Sequence, residues 1–114
     1  MLKHLAMEEL AERDMLPQAI LRRPVADLAN QLGEPLLEAF DDLDVYQGIA
    51  LQLNGETQFA LKHYKGHPAG TTTVYLSSQI SEIETITRLV ARIADELHLS
   101  GRDVLWQRKD DPDL

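Results

Sequence analysis

Imidazole, phenol and amine side chains crowd into one short segment, His63-Tyr64-Lys65-Gly66-His67, the only cluster with residue types common in catalysis and metal binding. Histidine moves protons or ligates metals near neutral pH, while lysine and tyrosine add a charge and a hydroxyl. Two histidines four apart share one helix face and can hold zinc together; in an extended chain the same steps separate them by about 13 Å. Gly66 and Pro68 argue against a helix, and no third ligand lies nearby. The segment reads first as a strand end entering a surface turn. A ligand pocket formed by His63, Tyr64, Lys65 and His67 is the alternative.

Other chemical motifs are weaker. Gly66 to Thr73 carry two glycines and three threonines, but phosphate loops open into a helix N-terminus and this stretch leads into a strand. Asp42, Asp44 and Gly48 approximate a calcium loop in which the glycine is displaced by one and the closing glutamate is missing. The four serines, Ser77, Ser78, Ser81 and Ser100, lack an elbow motif and sit where turns and caps need them. Cysteine is absent, which excludes disulfides, thiolate catalysis and Cys-ligated zinc. The expectation is a non-enzymatic chain with no cofactor and no metal.

Charge points elsewhere. The net charge is −8, and residues 1–50 hold ten acidic and four basic side chains against nine and seven in residues 51–114. Such a field discourages nucleic acid and anionic membranes and favours basic partners. Residues 25–44 have helix-turn-helix spacing: Leu28, Ala29, Leu32, Gly33, Ala39 and Leu43 fall where two short packed helices need apolar contacts and a turn. Followed by a hairpin, this spacing resembles a degenerate winged-helix domain with residues 45–64 as the wing. The resemblance implies DNA binding, yet the second helix would present Pro35, Leu36, Glu38, Asp41 and Asp42 to phosphates. Arg22 and Arg23 cannot offset that face.

The elements that would position these residues follow from periodicity. Leu2, Leu5, Ala6 and Leu10 form a helical stripe over residues 2–13, and the prolines punctuate further short helices at 17–22, 24–32 and 35–43. From Val45 the period becomes two. Val45, Ile49, Leu51 and Leu53 alternate before Asn54-Gly55, and Thr57, Phe59, Leu61 and His63 alternate after it, which predicts a hairpin. A three-residue loop, Leu53-Asn54-Gly55 with a G1 bulge, pairs Leu51 with Thr57 and Ile49 with Phe59, so that Ile49, Leu51, Phe59 and Leu61 share one buried face. A two-residue turn would split them between faces and would require a sheet covered on both sides. The connector 65–70 leads to a third strand at Thr71–Leu76. Ser81 and Glu84 have capping-box spacing before a stripe of Ile83, Ile86, Val90, Ile93 and Leu97, predicting a helix over 81–98. Val104-Leu105-Trp106 reads as a short last strand and residues 109–114 as a frayed tail.

The expected architecture is therefore one α+β domain over residues 1–114. It has short N-terminal helices through residue 44, a three-stranded antiparallel meander, one long amphipathic helix covering the sheet and a short final strand. The N-terminus lacks a signal-peptide pattern and no apolar run reaches the ~18 residues of a membrane span, so a cytoplasmic location is expected. The function expected is a small acidic protein-interaction or regulatory module. Its partner is a basic protein or another copy meeting a sheet edge, with Leu37, Glu38, Asp41, Asp42 and Trp106 as contact residues, and neither nucleic acid nor membrane is a partner. A small enzyme or ligand-binding protein using the His63–His67 segment is the first alternative, and a degenerate winged-helix DNA-binding protein the second.

Overall fold

The computed structural model describes residues 2–6, 14–40 and 45–108. Their dominant element is a seven-stranded antiparallel sheet, far larger than the expected three-stranded meander. The strands are β1 (Leu2–Leu5), β2 (Met15–Leu21), β3 (Leu37–Phe40), β4 (Val45–Leu53), β5 (Thr57–Tyr64), β6 (Thr72–Ser77) and β7 (Val104–Gln107). Two helices accompany them among the described residues, α1 (Val25–Leu32) and α2 (Ile83–Glu96). The order across the sheet is β1-β4-β5-β6-β2-β7, with β3 also on β4. β1 and β3 thus lie end to end on one edge: β1 pairs with residues 50–53 of β4, and β3 with residues 45–48.

The meander β4-β5-β6 is built as its alternation predicts, and Ile49, Leu51, Phe59 and Leu61 do share a buried face. Its register is shifted from the expected one. Leu53 pairs with Thr57, so Leu51 meets Phe59 and Ile49 meets Leu61. Asn54 (φ 51°) and Gly55 (φ 76°) make the reversal, closed by the Glu56 N–H donating to the Leu53 carbonyl at 3.0 Å, and Glu56 is the third loop residue. A shift of two residues preserves the face.

Both faces of the sheet are buried. On one, Leu21, Leu51, Phe59, Leu61 and Leu76 pack beneath Val25 and Leu28 of α1 and Ile86, Val90 and Ile93 of α2. Each fully buried leucine or phenylalanine there contributes roughly 2 kcal/mol relative to exposure. The other face buries Leu5, Tyr46, Ala50, Ala60, Tyr64 and Tyr75, with Met15 and Ala39 against them.

The helical reading of the N-terminal segments is overturned. Residues 2–5 form β1, and β2 replaces the helix expected at 17–22. Pro17 is tolerated in β2 because a bulge falls between Pro17 and Ala19, and because β7 pairs only with Ala19 to Leu21, leaving no ladder bond for a Pro17 N–H to supply. The helix expected at 35–43 is β3 from Leu37 to Phe40 among the described residues, so α1 leads into a strand instead of a recognition helix and the winged-helix arrangement does not form. Residues 7–13 of the first expected helix, residues 41–44 of the third and the tail 109–114 lie outside the described residues.

The expected α+β fold with one long covering helix thus gives way to a mostly-sheet fold with two short helices, which lie within the spans expected at 24–32 and 81–98. α1 ends where Gly33 adopts φ 70° and the Gly33 and Glu34 N–H groups donate to the carbonyls of Asn30 and Ala29. α2 begins after Glu82 without a side-chain cap, so the Ser81–Glu84 capping box is not realised. Gln18, in the β2 bulge, is fully buried and neither Nε2 nor Oε1 of its amide finds a hydrogen-bond partner among the described residues.

Gly33→Ala is expected to destabilise the fold by about 1 kcal/mol, since a Cβ there meets no atom within 4 Å and only the left-handed backbone resists it. Gln18→Met, similar in size but without the amide, should stabilise it by about 1 kcal/mol. Urea unfolding midpoints at constant slope test both.

Candidate functional site

Ser100 starts a tight turn. The Ser100 N–H and Oγ both donate to Oδ2 of Asp103, at 3.0 and 3.2 Å, across the single 3₁₀ turn Gly101–Asp103. The backbone N–H of Ser100 is the main cause that holds the Asp103 carboxyl below its ordinary value of 3.8; the Ser100 hydroxyl and the charges of Arg23 and Arg22 act in the same direction against partial desolvation. This turn aims the chain into β7, which is anchored at both ends: the Arg22 N–H donates to the Asp103 carbonyl at 2.6 Å, and the Arg108 N–H to the Gln18 carbonyl at 3.0 Å.

Along β7 the register shifts between Ile20 and Leu21 of β2. Val104 pairs with Leu21 and Trp106 with Ile20, leaving Leu105 as the extra residue of a bulge. Val104 packs against the core, whereas Leu105 and Trp106 are each 46% exposed. The Gln107 Nε2 donates to Oγ1 of Thr87 at 3.0 Å, tying the strand to α2. Between strand and helix runs a groove of ≈ 470 Å³ walled by Thr87, Ala91, Ala94, Leu99, Leu105 and Trp106, with Asp95 and Ser100 at its polar margin. No further strand pairs with the outer side of β7 among the described residues. The result is an open hydrogen-bonding edge next to two large apolar side chains, flanked by Arg22, Arg23, Arg102 and Arg108.

The opposite edge differs in charge. Leu37 on β3 is 42% exposed and Val45, at the start of β4, 41% exposed. Glu38 is exposed between them in the ladder, paired with Gln47. Glu34, just before β3, lies 3.6 Å from Nδ1 of His4 on β1. The expected contact residues are therefore divided. Leu37 and Glu38 sit on a strand instead of an acidic helix, Trp106 lies at the far side of the sheet, and Asp41 and Asp42 fall outside the described residues.

The segment His63–His67 is a strand end and turn, as its glycine and proline predict. His63 Nδ1 donates to the Thr71 carbonyl at 2.8 Å, and its ring meets that of His67 edge-on at 6.3 Å. Tyr64 is buried on the second face, 5.2 Å from the Tyr46 ring, 6.2 Å from Tyr75 and 5.5 Å from His67. Lys65 is exposed, and its N–H donates to the Val45 carbonyl at 3.0 Å. Lys62 is the residue that sequence reasoning missed here: its Nζ stands 4.5 Å from the centre of the Tyr46 ring, 5.2 Å from Tyr75 and 5.9 Å from Tyr64, a cation held over aromatic faces. The alternation that puts Lys62 and Tyr64 on one face was the available signal. His63, Tyr64, Lys65 and His67 wall neither the β7 groove nor the broader cavity of ≈ 1010 Å³ between the β4–β5 turn and α2. That second cavity sets Arg88 and Arg92 beside Glu56 and Asp95 and so presents no net charge.

Among the described residues no group of three or more histidine, aspartate or glutamate side chains is placed to hold a metal ion, and no helix is long and apolar enough to cross a membrane. No family model matches the sequence, and no curated protein or solved structure matches the chain.

The depressed Asp103 pKa fixes a sign. Its ionised form supports the turn above pH 3.8, and that support is lost as pH falls through the lower folded value. A carboxyl-carbon NMR titration should place the Asp103 midpoint below 3.8. Ser100→Ala, which keeps the backbone N–H, should return only part of the shift.

Proposed function

We propose that this chain is a non-catalytic interaction module that docks a polypeptide along β7. One observation carries the reading: the open edge strand exposes Leu105 and Trp106 side by side, next to the apolar groove under α2. Main-chain groups on such an edge accept an added strand, and its neighbouring side chains select the sequence. Tryptophan beside leucine offers a large apolar contact area, and surrounding arginines add reach toward carboxylates. The Gln107–Thr87 bond and the two backbone anchors hold the strand in place before a partner arrives, which lowers the ordering cost of docking.

A ligand-binding or catalytic role for His63, Tyr64, Lys65 and His67 is less well supported. His63 already donates to Thr71, Tyr64 is buried among rings, and Lys65 and His67 stand in solvent. Glu38 lies on a strand at the opposite sheet edge instead of on a docking helix.

A photo-crosslinking phenylalanine derivative placed at Leu105 in cells of the host tests the proposal, with Glu84, exposed at the start of α2, as the control position. The expected outcome is a discrete polypeptide adduct from position 105 and none from position 84. Equal labelling at both positions, or none at either, would overturn the docking edge.

A further inference from the structure

We infer that the polypeptide received by β7 is a second copy of this chain, entering by its β3 edge, so that copies join head to tail. The inference rests on the docking role of β7 and supplies its partner. The two strands match in length, and each exposes at least one large apolar side chain. β3 and β7 are four residues each, and Leu37 on one and Leu105 and Trp106 on the other are exposed large hydrophobics.

They are opposite in charge. Among the described residues, β3 carries the exposed Glu38 and is preceded by Glu34, and residues 34–40 hold no basic side chain. β7 is followed by Arg108 and preceded by Arg102, and the Arg22–Asp103 backbone bond brings Arg22 and Arg23 to the same end. The one acid in residues 100–108 is Asp103, and its carboxylate is engaged by Ser100. β7 itself is uncharged, so pairing β7 with β7 would bring its flanking arginines together, pairing β3 with β3 would bring Glu38 against Glu38, and charge selects the unlike pair. Because β3 and β7 lie on opposite sides of the sheet, one copy can use both at once. Such a heterologous contact does not stop at two copies; it closes into a ring or continues as a filament. The net charge of −8 opposes the approach of whole molecules, but at about 150 mM salt screening beyond about 8 Å leaves the contact pairs to decide.

Sedimentation velocity of the full chain at about 150 mM salt, over about three decades of concentration up to about 1 mM, tests the inference. Species larger than a dimer should grow in with concentration. Glu38→Arg and Arg108→Glu should each weaken self-association at least about tenfold. An equimolar mixture of the two variants should restore it, because the unaltered β7 edge of the Glu38→Arg copy meets the unaltered β3 edge of the Arg108→Glu copy, and the two reversed edges, which growth beyond a dimer also needs, are complementary to each other. Circular dichroism shows whether each variant folds, and Arg102→Glu, at an exposed position, replaces Arg108→Glu if that variant does not. A wild type monomeric throughout, a mixture that stays dissociated, or association lost in Arg108→Glu and kept in Glu38→Arg would each overturn the head-to-tail contact. A Leu105 adduct with a different protein would overturn the second copy as partner while leaving the docking edge in place.

Discussion

Phe59 points toward the helices while Ala60, its neighbour in β5 and equally buried, points toward the tyrosine cluster. That opposition recurs at Ile49 and Ala50 of β4 and at Val74 and Tyr75 of β6, so the middle of the sheet excludes water from both sides. With both faces occupied, what this sheet can offer to solvent is its margins. The exposed large hydrophobics accordingly lie at or near the edges: Leu37 and Val45 on one side, Leu105 and Trp106 on the other, with Leu16 at the start of β2. A strand margin brings unpaired backbone groups along with those side chains, which is why the proposed docking is placed at an edge and not on a face.

Elements whose stabilising contacts are local were legible in the sequence. α2 shows its 3.6-residue stripe because one face meets the sheet and the other meets water, and the β4–β5 hairpin declares itself through Asn54-Gly55. Its register slipped by two because a one-residue change in loop content alters pairing without moving any side chain to the other face. β1, β2 and β3 failed for a different reason. Leucine, alanine and glutamate favour helix locally, and in β2 burial on both sides erases the alternation that would announce a strand. Here the demand of β4 and β6 for partners overrides local preference, and nothing within a short window of sequence records that demand.

The same division applies to the site. Trp106 was legible as an amphipathic aromatic in a short strand, but Leu105 joined it only through a bulge against β2. Two adjacent large apolar residues in a period-two segment can both face outward only when the pleat is interrupted there. The arginines of β7 meet from positions some eighty residues apart in the chain, a juxtaposition that only the sheet order creates. Glu38 was expected in the right segment and on the wrong element, so its charge survives as a property of an edge.

β2 lies between β6 and β7, and its partners Thr72 and Trp106 follow Leu21 and Ile20 by roughly fifty and roughly ninety residues, a separation that makes loop closure the dominant entropic barrier to seating it. On a ribosome, Met15 to Leu21 is made early and can be paired only after β6 has emerged, and on its other side only after β7. The meander β4-β5-β6 can form first, and β2 then closes against it as a late latch. In the interval an apolar strand with both margins vacant is exposed to every other nascent chain in reach. The topology that gives the mature sheet its covered centre thus fixes the moment of greatest vulnerability during synthesis, when the chain is long enough to collapse and still lacks the residues that shield its second strand.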